Sequence, residues 1–312
     1  MKLHYELPSS AEYRAERARH PLCVAVGVFD GFHIGHQAIV RALLQARRAG
    51  ERTAVLTFAE HPMTFLRPTD VPPQIATMGE RVNAFARVGV DEMFVLTFDE
   101  RFASLSPEAF LDDVIAGTLG ARAMVVGANF RFGSKRVGDL AFAQAHLAAQ
   151  GRETIGVPNA TLDGERVSST RVRAAIAAGD LALADRLLGL PYTVRGTVAF
   201  GAGRGHDLGF PTANVTVPPE KMLPPDGVYA ITGRYEGRDY PGLVSIGTNP
   251  TFDGSTRTVE AWLLDFNGSM YGEELALRDF RFVRGQMRFD SVQALEAQMK
   301  LDAAAVTFPT FS

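Results

Sequence analysis

One cysteine, one tryptophan and four lysines are all that the 312 residues contain of those three types. Cys23 alone can close no intrachain disulfide and build no thiolate cage for zinc, which fits a reducing, cytoplasmic setting. Only Lys2, Lys135, Lys221 and Lys300 stand beside 28 arginines, so any bound anion must be met by Arg, His, backbone N–H groups or metal. A lysine-centred mechanism is disfavoured. No uninterrupted apolar stretch is long enough for a bilayer, and the first twenty residues mix Glu6, Glu12 and Glu16 with Arg14, Arg17 and Arg19 where a signal peptide would be apolar. Charge of one sign is also missing. A formal net charge of −3 removes the usual electrostatic reason to expect nucleic acid or an anionic membrane as partner, and leaves small molecules favoured.

What is present is an ordinary globular composition over a length that suits two domains better than one core. Between residues 22 and 188, short apolar runs at 22–28, 53–58, 93–97, 123–126 and 154–157 alternate with helical patterns, as parallel βα units do. Ile39, Leu43, Leu44 and Ala46 form a stripe that predicts a helix over 38–49, stopped by Gly50. Ser106-Pro107-Glu108 supplies a cap, a first-turn proline and a dipole-matched acid for another. After Leu188-Gly189-Leu190-Pro191 the texture changes, and period-two segments at 193–200, 228–235, 243–246, 258–264 and 275–282 predict a small antiparallel barrel. Residues 291–304 read as an amphipathic helix, with Val292, Leu295, Met299 and Val306 available to cover one end of that barrel. The expected fold is an α/β domain over 1–188, a doubly wound, Rossmann-like parallel sheet, followed over 189–312 by an antiparallel β-barrel with a terminal helix. No internal repeat or low-complexity segment interrupts it.

Two constellations carry chemistry. In Gly27-Val28-Phe29-Asp30-Gly31-Phe32-His33-Ile34-Gly35-His36, a strand runs into a turn at Gly31 and then a helix opening near Gly35, which places His33 and His36 on one face of its first turn. A helix start presents free N–H groups and about half a positive charge, so two imidazoles sit poorly there unless an anion lies between them. A nucleoside triphosphate would satisfy all three. The competing reading is a capping histidine beside a buried, hydrogen-bonded one, but His-x-Gly-His at a strand-to-helix turn favours function. Asp30 suits a turn former equally well. Further on, Ser168, Ser169 and Thr170 at a helix start, with Arg173 one turn later, make a second anion cradle. Alone, that would be only an N-cap ahead of a basic helix. Paired with the histidine turn in an α/β domain, it resembles the nucleotidyltransferase superfamily, whose His-x-Gly-His and Ser-Ser-Thr-x-x-Arg elements hold the phosphates of ATP. An ionised phosphate acceptor needs no proton removed, so alignment and charge stabilisation would suffice and no carboxylate base is required.

The second constellation begins at Gly201-Ala202-Gly203-Arg204-Gly205, which a dinucleotide fingerprint would follow with a helix; Leu208-Gly209-Phe210-Pro211-Thr212-Ala213-Asn214-Val215 suggests a strand instead. Thr212 and Asn214 are two apart, so in an extended chain they share a face and offer two neutral oxygens, a set that suits magnesium, which takes its other ligands from water and substrate phosphate. Along Thr258-Val259-Glu260-Ala261-Trp262-Leu263-Leu264, alternation puts Glu260 among apolar neighbours, where a carboxylate is paired or employed. A kinase acting on a neutral alcohol needs such a group to accept the hydroxyl proton. A rim glutamate paired with Arg257 or Arg278 is the alternative.

Taken together, the chain resembles the bifunctional bacterial riboflavin kinase and FAD synthetase family (riboflavin kinase and FMN adenylyltransferase). The resemblance runs through residues 27–37, Thr57-Phe58 with His61-Pro62, 127–133, 167–173, Leu188-Gly189, 204–214, 227–230, 247–252, Val259-Glu260, Leu264-Asp265 with Tyr271-Gly272, and 289–302. It implies a C-terminal domain that phosphorylates riboflavin to FMN and an N-terminal domain that joins FMN to the AMP of ATP, giving FAD and pyrophosphate. It implies Mg2+ as cofactor, ATP as co-substrate and riboflavin, FMN and FAD as substrates and products, in a cytoplasmic enzyme. Oligomerisation is left open. Carried over, the resemblance implies ATP contacts for the transferase at Gly27, Phe29, Asp30, Gly31, His33, His36, Asn129, Ser169, Thr170 and Arg173, with His33, His36 and Arg173 catalytic. Phe58, His61 and Phe130 would flank its flavin. For the kinase it implies Gly203, Arg204, Gly205, Gly209, Pro211, Thr212 and Asn214 around ATP and flavin, Thr212 and Asn214 as the metal pair, and Glu260 as base. Ala59-Glu60 stands where many members have an acid and then a proline, Asn129 where many have Asp, and Asn249 where many have Arg; these bear on how the flavin is placed. A chain retaining one activity and a flavin-binding protein without turnover are the rival readings; a nucleic-acid module finds no basic face with interleaved aromatics.

Overall fold

In a computed structural model of the chain, residues 1–199, 212–248 and 257–306 are described. They divide into two compact units, Met1–Ser169 and Thr170–Ser312. Among the described residues, no helix is long and apolar enough to cross a membrane.

The first unit is built on strands β1 (Lys2–His4), β2 (Leu22–Val26), β3 (Arg52–Phe58), β4 (Glu92–Leu96), β5 (Ala121–Gly127), β6 (Arg131–Phe132), β7 (Gly138–Asp139), β8 (Glu153–Val157), β9 (Thr161–Leu162) and β10 (Glu165–Arg166). Six of them form one parallel sheet in the order β1-β4-β3-β2-β5-β8. Central β2 is buried along its whole length, and successive side chains go to opposite faces. Leu22, Val24 and Val26 join Leu56, Met124 and Ile115 on one side, while Cys23 and Ala25 join Leu43, Phe85 and Met93 on the other. Burial pushes the Cys23 thiol up to about 11, so it stays protonated.

The five strands expected here are found within a few residues of their expected limits. β1 was not expected, because three residues are too few for a periodicity. It is held by pairing: parallel to β4, with His4 Nε2 2.9 Å from Glu92 Oε2, and Arg17 Nη1, from the Ala11–Arg19 helix, 3.2 Å from Glu92 Oε1. The helix expected over 38–49 runs instead from Ile34 to Ala46. It starts earlier because His33 caps it, and it stops earlier because Arg47 turns extended and the Arg48 N–H donates to Glu51 Oε2 at 2.8 Å. Ser106 does cap its helix, accepting from the Ala109 N–H at 3.1 Å.

The second unit contains β11 (Val194–Ala199), β12 (Ala213–Thr216), β13 (Gly227–Tyr235), β14 (Arg238–Thr248), β15 (Arg257–Leu263) and β16 (Glu274–Arg284). They close an antiparallel barrel in the order β11-β12-β15-β14-β13-β16. Glu236 and Gly237, both at positive φ, make the two-residue turn between β13 and β14 that suits the right-handed twist of a hairpin. Val215, Val244, Ile246, Val259, Ala261 and Leu263 are buried on one face of this wall.

The terminal helix, Val292–Ala305 with Ser291 as cap, meets the expected covering of the barrel by Val292, Leu295, Met299 and Val306 only in part. Val292 is exposed, whereas Ala303 and Val306 pack against Val228, Ala230 and Leu243, flanked by Trp262 and Val283, on the opposite face of the barrel wall. A charge completes the seat. Buried Asp302 accepts from Arg284 Nε at 3.0 Å and Nη2 at 2.8 Å, and from Gln298 Nε2 at 2.8 Å. An apolar-stripe argument overlooks such a contact because the buried residue is an acid.

Candidate functional site

The turn after β2 is strained by design of its sequence: Phe29 (φ 54°), Gly31 (φ 86°) and Phe32 (φ 47°) all lie in the left-handed region. Such a conformation persists in non-glycine residues only when neighbours over-determine it. Here they do. Buried Asp30 accepts from the Ile75 N–H at 3.2 Å and the Ala76 N–H at 3.0 Å, and a Cβ on Gly31 would come within 2.9 Å of Ile75. Asp30 is thus a turn former, one of the two roles open to it. Its carbonyl accepts from Ser169 Oγ at 2.9 Å, which ties the last residue of this unit to the histidine turn. Arg173 follows one turn later, half-buried, and Thr170 is exposed.

His33 Nδ1 accepts the His36 N–H at 3.2 Å and caps the Ile34–Ala46 helix. The two rings stack at 3.6 Å between centroids and 16° between planes, and Phe29 meets His36 edge to face with 5.2 Å between centroids. Gly35 makes room for this, since a Cβ there would sit 3.1 Å from His33 Nδ1. An accepting Nδ1 carries no proton, so the His33 proton is on Nε2. His36 is half-buried as a residue, yet its Nδ1 is fully enclosed without a hydrogen-bond partner. Burial, then the charges of His33 and Arg81, hold its pKa well below the usual histidine range. The competing reading therefore holds for the cap and not for its companion, because an enclosed, unpartnered ring nitrogen is not a satisfied structural histidine.

That environment has a pH signature. His36 favours its neutral form in the folded chain, so below pH ~6.5 the unfolded chain binds the extra proton. The associated stability is fully present above that pH and is lost as pH falls. In calorimetric scans, the Tm of the wild type is expected to fall more steeply between pH 6.5 and 5 than that of His36→Phe; parallel profiles would refute this.

Arg81 went unread in the sequence. It is buried, and its guanidinium donates from Nη1 to the carbonyls of Val28 (3.1 Å) and Phe58 (3.0 Å) and from Nη2 to that of Ala59 (3.1 Å). It ties the ends of β2 and β3 together below the turn, helped by Thr57 Oγ1, which donates to the Val28 carbonyl at 2.9 Å. The available signal was the Thr77-x-x-Glu80 capping box, which fixes the Met78–Arg87 helix and makes Arg81 the polar intruder beside apolar Val82 and Phe85.

Phe58 is buried, with the Phe98 and Phe102 rings edge-on at 5.1 Å each. Nearby in sequence, His61 Nδ1 accepts the Met63 N–H at 3.2 Å. Phe130 stacks on Phe132 at 5.3 Å, and Asn129 is exposed just past β5. With Gly27, these residues follow the carboxyl ends of β2, β3 and β5, the edge at which open parallel sheets take ligands.

In the barrel, Asn214 on β12 lies directly opposite Glu260 on β15, and Glu260 directly opposite Ser245 on β14. Directly opposed residues project from the same face, so these three form a polar row. Glu260 is half-buried, and its strand neighbours Val259 and Ala261 point the other way at 3% and 0% exposure. Arg257 pairs with Asp226 and Arg278 with Asp239, so neither supplies the rim ion pair that was the alternative for Glu260. Thr212 immediately precedes β12, half-buried. Gly203, Arg204, Gly205, Gly209, Pro211 and Asn249 lie outside the described residues.

Comparison with known proteins matches each half separately: residues 15–171 fit the FAD synthetase family model and residues 188–308 the riboflavin kinase model. A bifunctional riboflavin kinase/FMN adenylyltransferase of Pseudomonas fluorescens is 38% identical over 93% of both chains, and that of Listeria monocytogenes 37% identical over 89% of both. A crystal structure from Streptococcus pneumoniae, named as a macrolide-efflux protein, is 35% identical over 90% of this chain and 92% of its own, with a TM-score of 0.81. By sequence over nearly its whole length, the chain belongs to the bifunctional riboflavin kinase/FMN adenylyltransferase family.

Proposed function

We propose that the chain makes FAD from riboflavin in two ATP-dependent steps at two chemically unlike sites, residues 1–188 serving FMN adenylylation and 189–312 riboflavin phosphorylation, in the cytoplasm. The observation that carries this reading is a difference in the residues each step needs. The histidine turn offers donors and a helix start with no carboxylate free to act as base, since Asp30 is engaged by backbone N–H groups; the barrel row offers a carboxylate.

In the first unit, His33 and His36 act as neutral donors at a helix N-terminus, where the backbone supplies the positive potential. A phosphate oxygen of FMN attacks the α-phosphorus of ATP, the new O–P bond forms, and the bond to the β-phosphate oxygen breaks to release pyrophosphate. No proton has to be taken from the nucleophile. Ser169, at the end of the same unit, serves the phosphates beside them. In the barrel, Glu260 accepts the proton of the terminal ribityl hydroxyl while that oxygen bonds to the γ-phosphorus and ADP leaves. Asn214 on the row of Glu260 and Thr212 just before the strand are neutral oxygen donors that would fit Mg2+, which neutralises phosphate charge when bound.

One incubation with riboflavin and Mg-ATP, sampled by chromatography, tests the reading. FMN is expected first and FAD after it, and supplied FMN is expected to yield FAD and pyrophosphate. Absence of either product leaves a single-activity enzyme; bound but unconverted riboflavin leaves a flavin-binding protein.

A further inference from the structure

The histidine turn stands over a buried charge to which none of the chemistry above gives a part. Arg81 is 3% exposed, and its fork is spent on the carbonyls of Val28 and Phe58 from Nη1 and of Ala59 from Nη2, while Nε is sealed in without a partner. Among the described residues, no carboxylate forms an ion pair with it. The acid whose field reaches it is Asp30, already engaged by the Ile75 and Ala76 N–H groups. Burying a guanidinium against carbonyls alone is costly, and tying two strand ends together does not by itself require a full charge.

What the fork holds is the frame of the site. The Val28 carbonyl is the last before Phe29, where the backbone enters the left-handed region, and Phe29 is the ring that meets His36. The Phe58 and Ala59 carbonyls open the segment that carries His61. The charge bears on the same residue. From the protein side it opposes a second proton on His36, whose other titratable neighbour is His33, stacked on it at the helix cap. We propose that Arg81 is a positioning residue for adenylyl transfer: its fork fixes the entry to the histidine turn, and its buried charge keeps His36 an uncharged donor. Being enclosed, it meets no substrate and acts through the turn alone. The inference rests on the reading that the first unit adenylylates FMN with His36 as a donor.

Arg81→Met removes both fork and charge. It is expected to lower the kcat of FAD formation from supplied FMN by roughly 10- to 10²-fold, the cost of a slightly misplaced catalytic group, with KM for ATP changed far less. Removing a positive neighbour eases protonation, so His36 in this variant is expected to titrate at higher pH than in the wild type. The titration is read by NMR of labelled histidine, with the His36 signal assigned by its absence from His36→Phe. Arg81→Lys keeps the charge without the planar fork, and is expected to hold His36 at its wild-type titration and recover most of the rate. Thr57→Val cuts the neighbouring tie to the Val28 carbonyl and touches no charge, so it leaves that titration in place. The Tm reports folding in each variant. An unmoved His36 titration in Arg81→Met, or a fall in rate that Thr57→Val reproduces in full at equal Tm, makes Arg81 a structural tie and overturns the proposal. Should Arg81→Met not fold, Arg81→Lys decides, because a His36 titrating there in the ordinary histidine range overturns it equally. Undiminished FAD formation by His36→Ala would instead remove the reading on which the proposal rests.

Discussion

Replacing His36 with alanine is expected to lower FAD formation from FMN by roughly 10²- to 10³-fold, the loss typical of one transition-state donor, while riboflavin phosphorylation continues. The size of the effect follows from where the ring sits. His36 is in the first turn of the Ile34–Ala46 helix, stacked on His33 and backed by Phe29, with one nitrogen sealed inside. Such a ring is held before substrate arrives, so its remaining N–H can meet charge that develops on the phosphates without reorganising. Alanine also removes the ring that the Phe29 edge approaches, and a fall in Tm has to be measured beside the rate. His36→Gln keeps a donor and is expected to retain more activity than alanine at equal stability. Parallel loss of both products in His36→Ala, with Tm unchanged, would refute two independent sites.

Glu260→Gln is expected to do the reverse, lowering FMN formation by roughly 10²- to 10⁴-fold, as for loss of a general base, and leaving FAD formation from supplied FMN intact. Glutamine keeps the size and strand position of the side chain opposite Asn214 and Ser245, but its amide cannot take the hydroxyl proton. The ion pairs at Arg257 and Arg278 go to Asp226 and Asp239, so the substitution breaks neither. Little effect on stability is therefore expected, and rate is the informative measurement. Kinase turnover that survives the change would assign the proton to another group.

The parallel sheet and the barrel were legible because their signals are periodic. Strand β2 reads as an unbroken apolar run since both its faces are covered, and β15 reads as an alternation since Val259, Ala261 and Leu263 alone are deeply buried. The apolar stripe alone placed the start of the Ile34–Ala46 helix late, at 38, whereas the histidine motif put it near Gly35, one residue from the start that His33 Nδ1 caps. At the sites, residue types and spacing were enough to nominate His33, His36, Asn214 and Glu260. That Ser169 touches the carbonyl of Asp30 depends on a meeting of segments 139 residues apart. Arg81 stayed hidden for the same reason. Its partners are backbone carbonyls of β2, β3 and the residues that follow them, and no side-chain pattern records a carbonyl. The seat of the terminal helix escaped as well, because it is fixed by an acid, Asp302, inside a pattern searched for apolar residues.

With its single thiol sealed in the middle strand of the sheet, the native chain offers maleimide dyes and spin labels almost nothing to react with. Reporter cysteines can accordingly be placed one at a time, beside the histidine turn or along the barrel wall, without first engineering the natural one away, and each substrate's arrival followed by fluorescence.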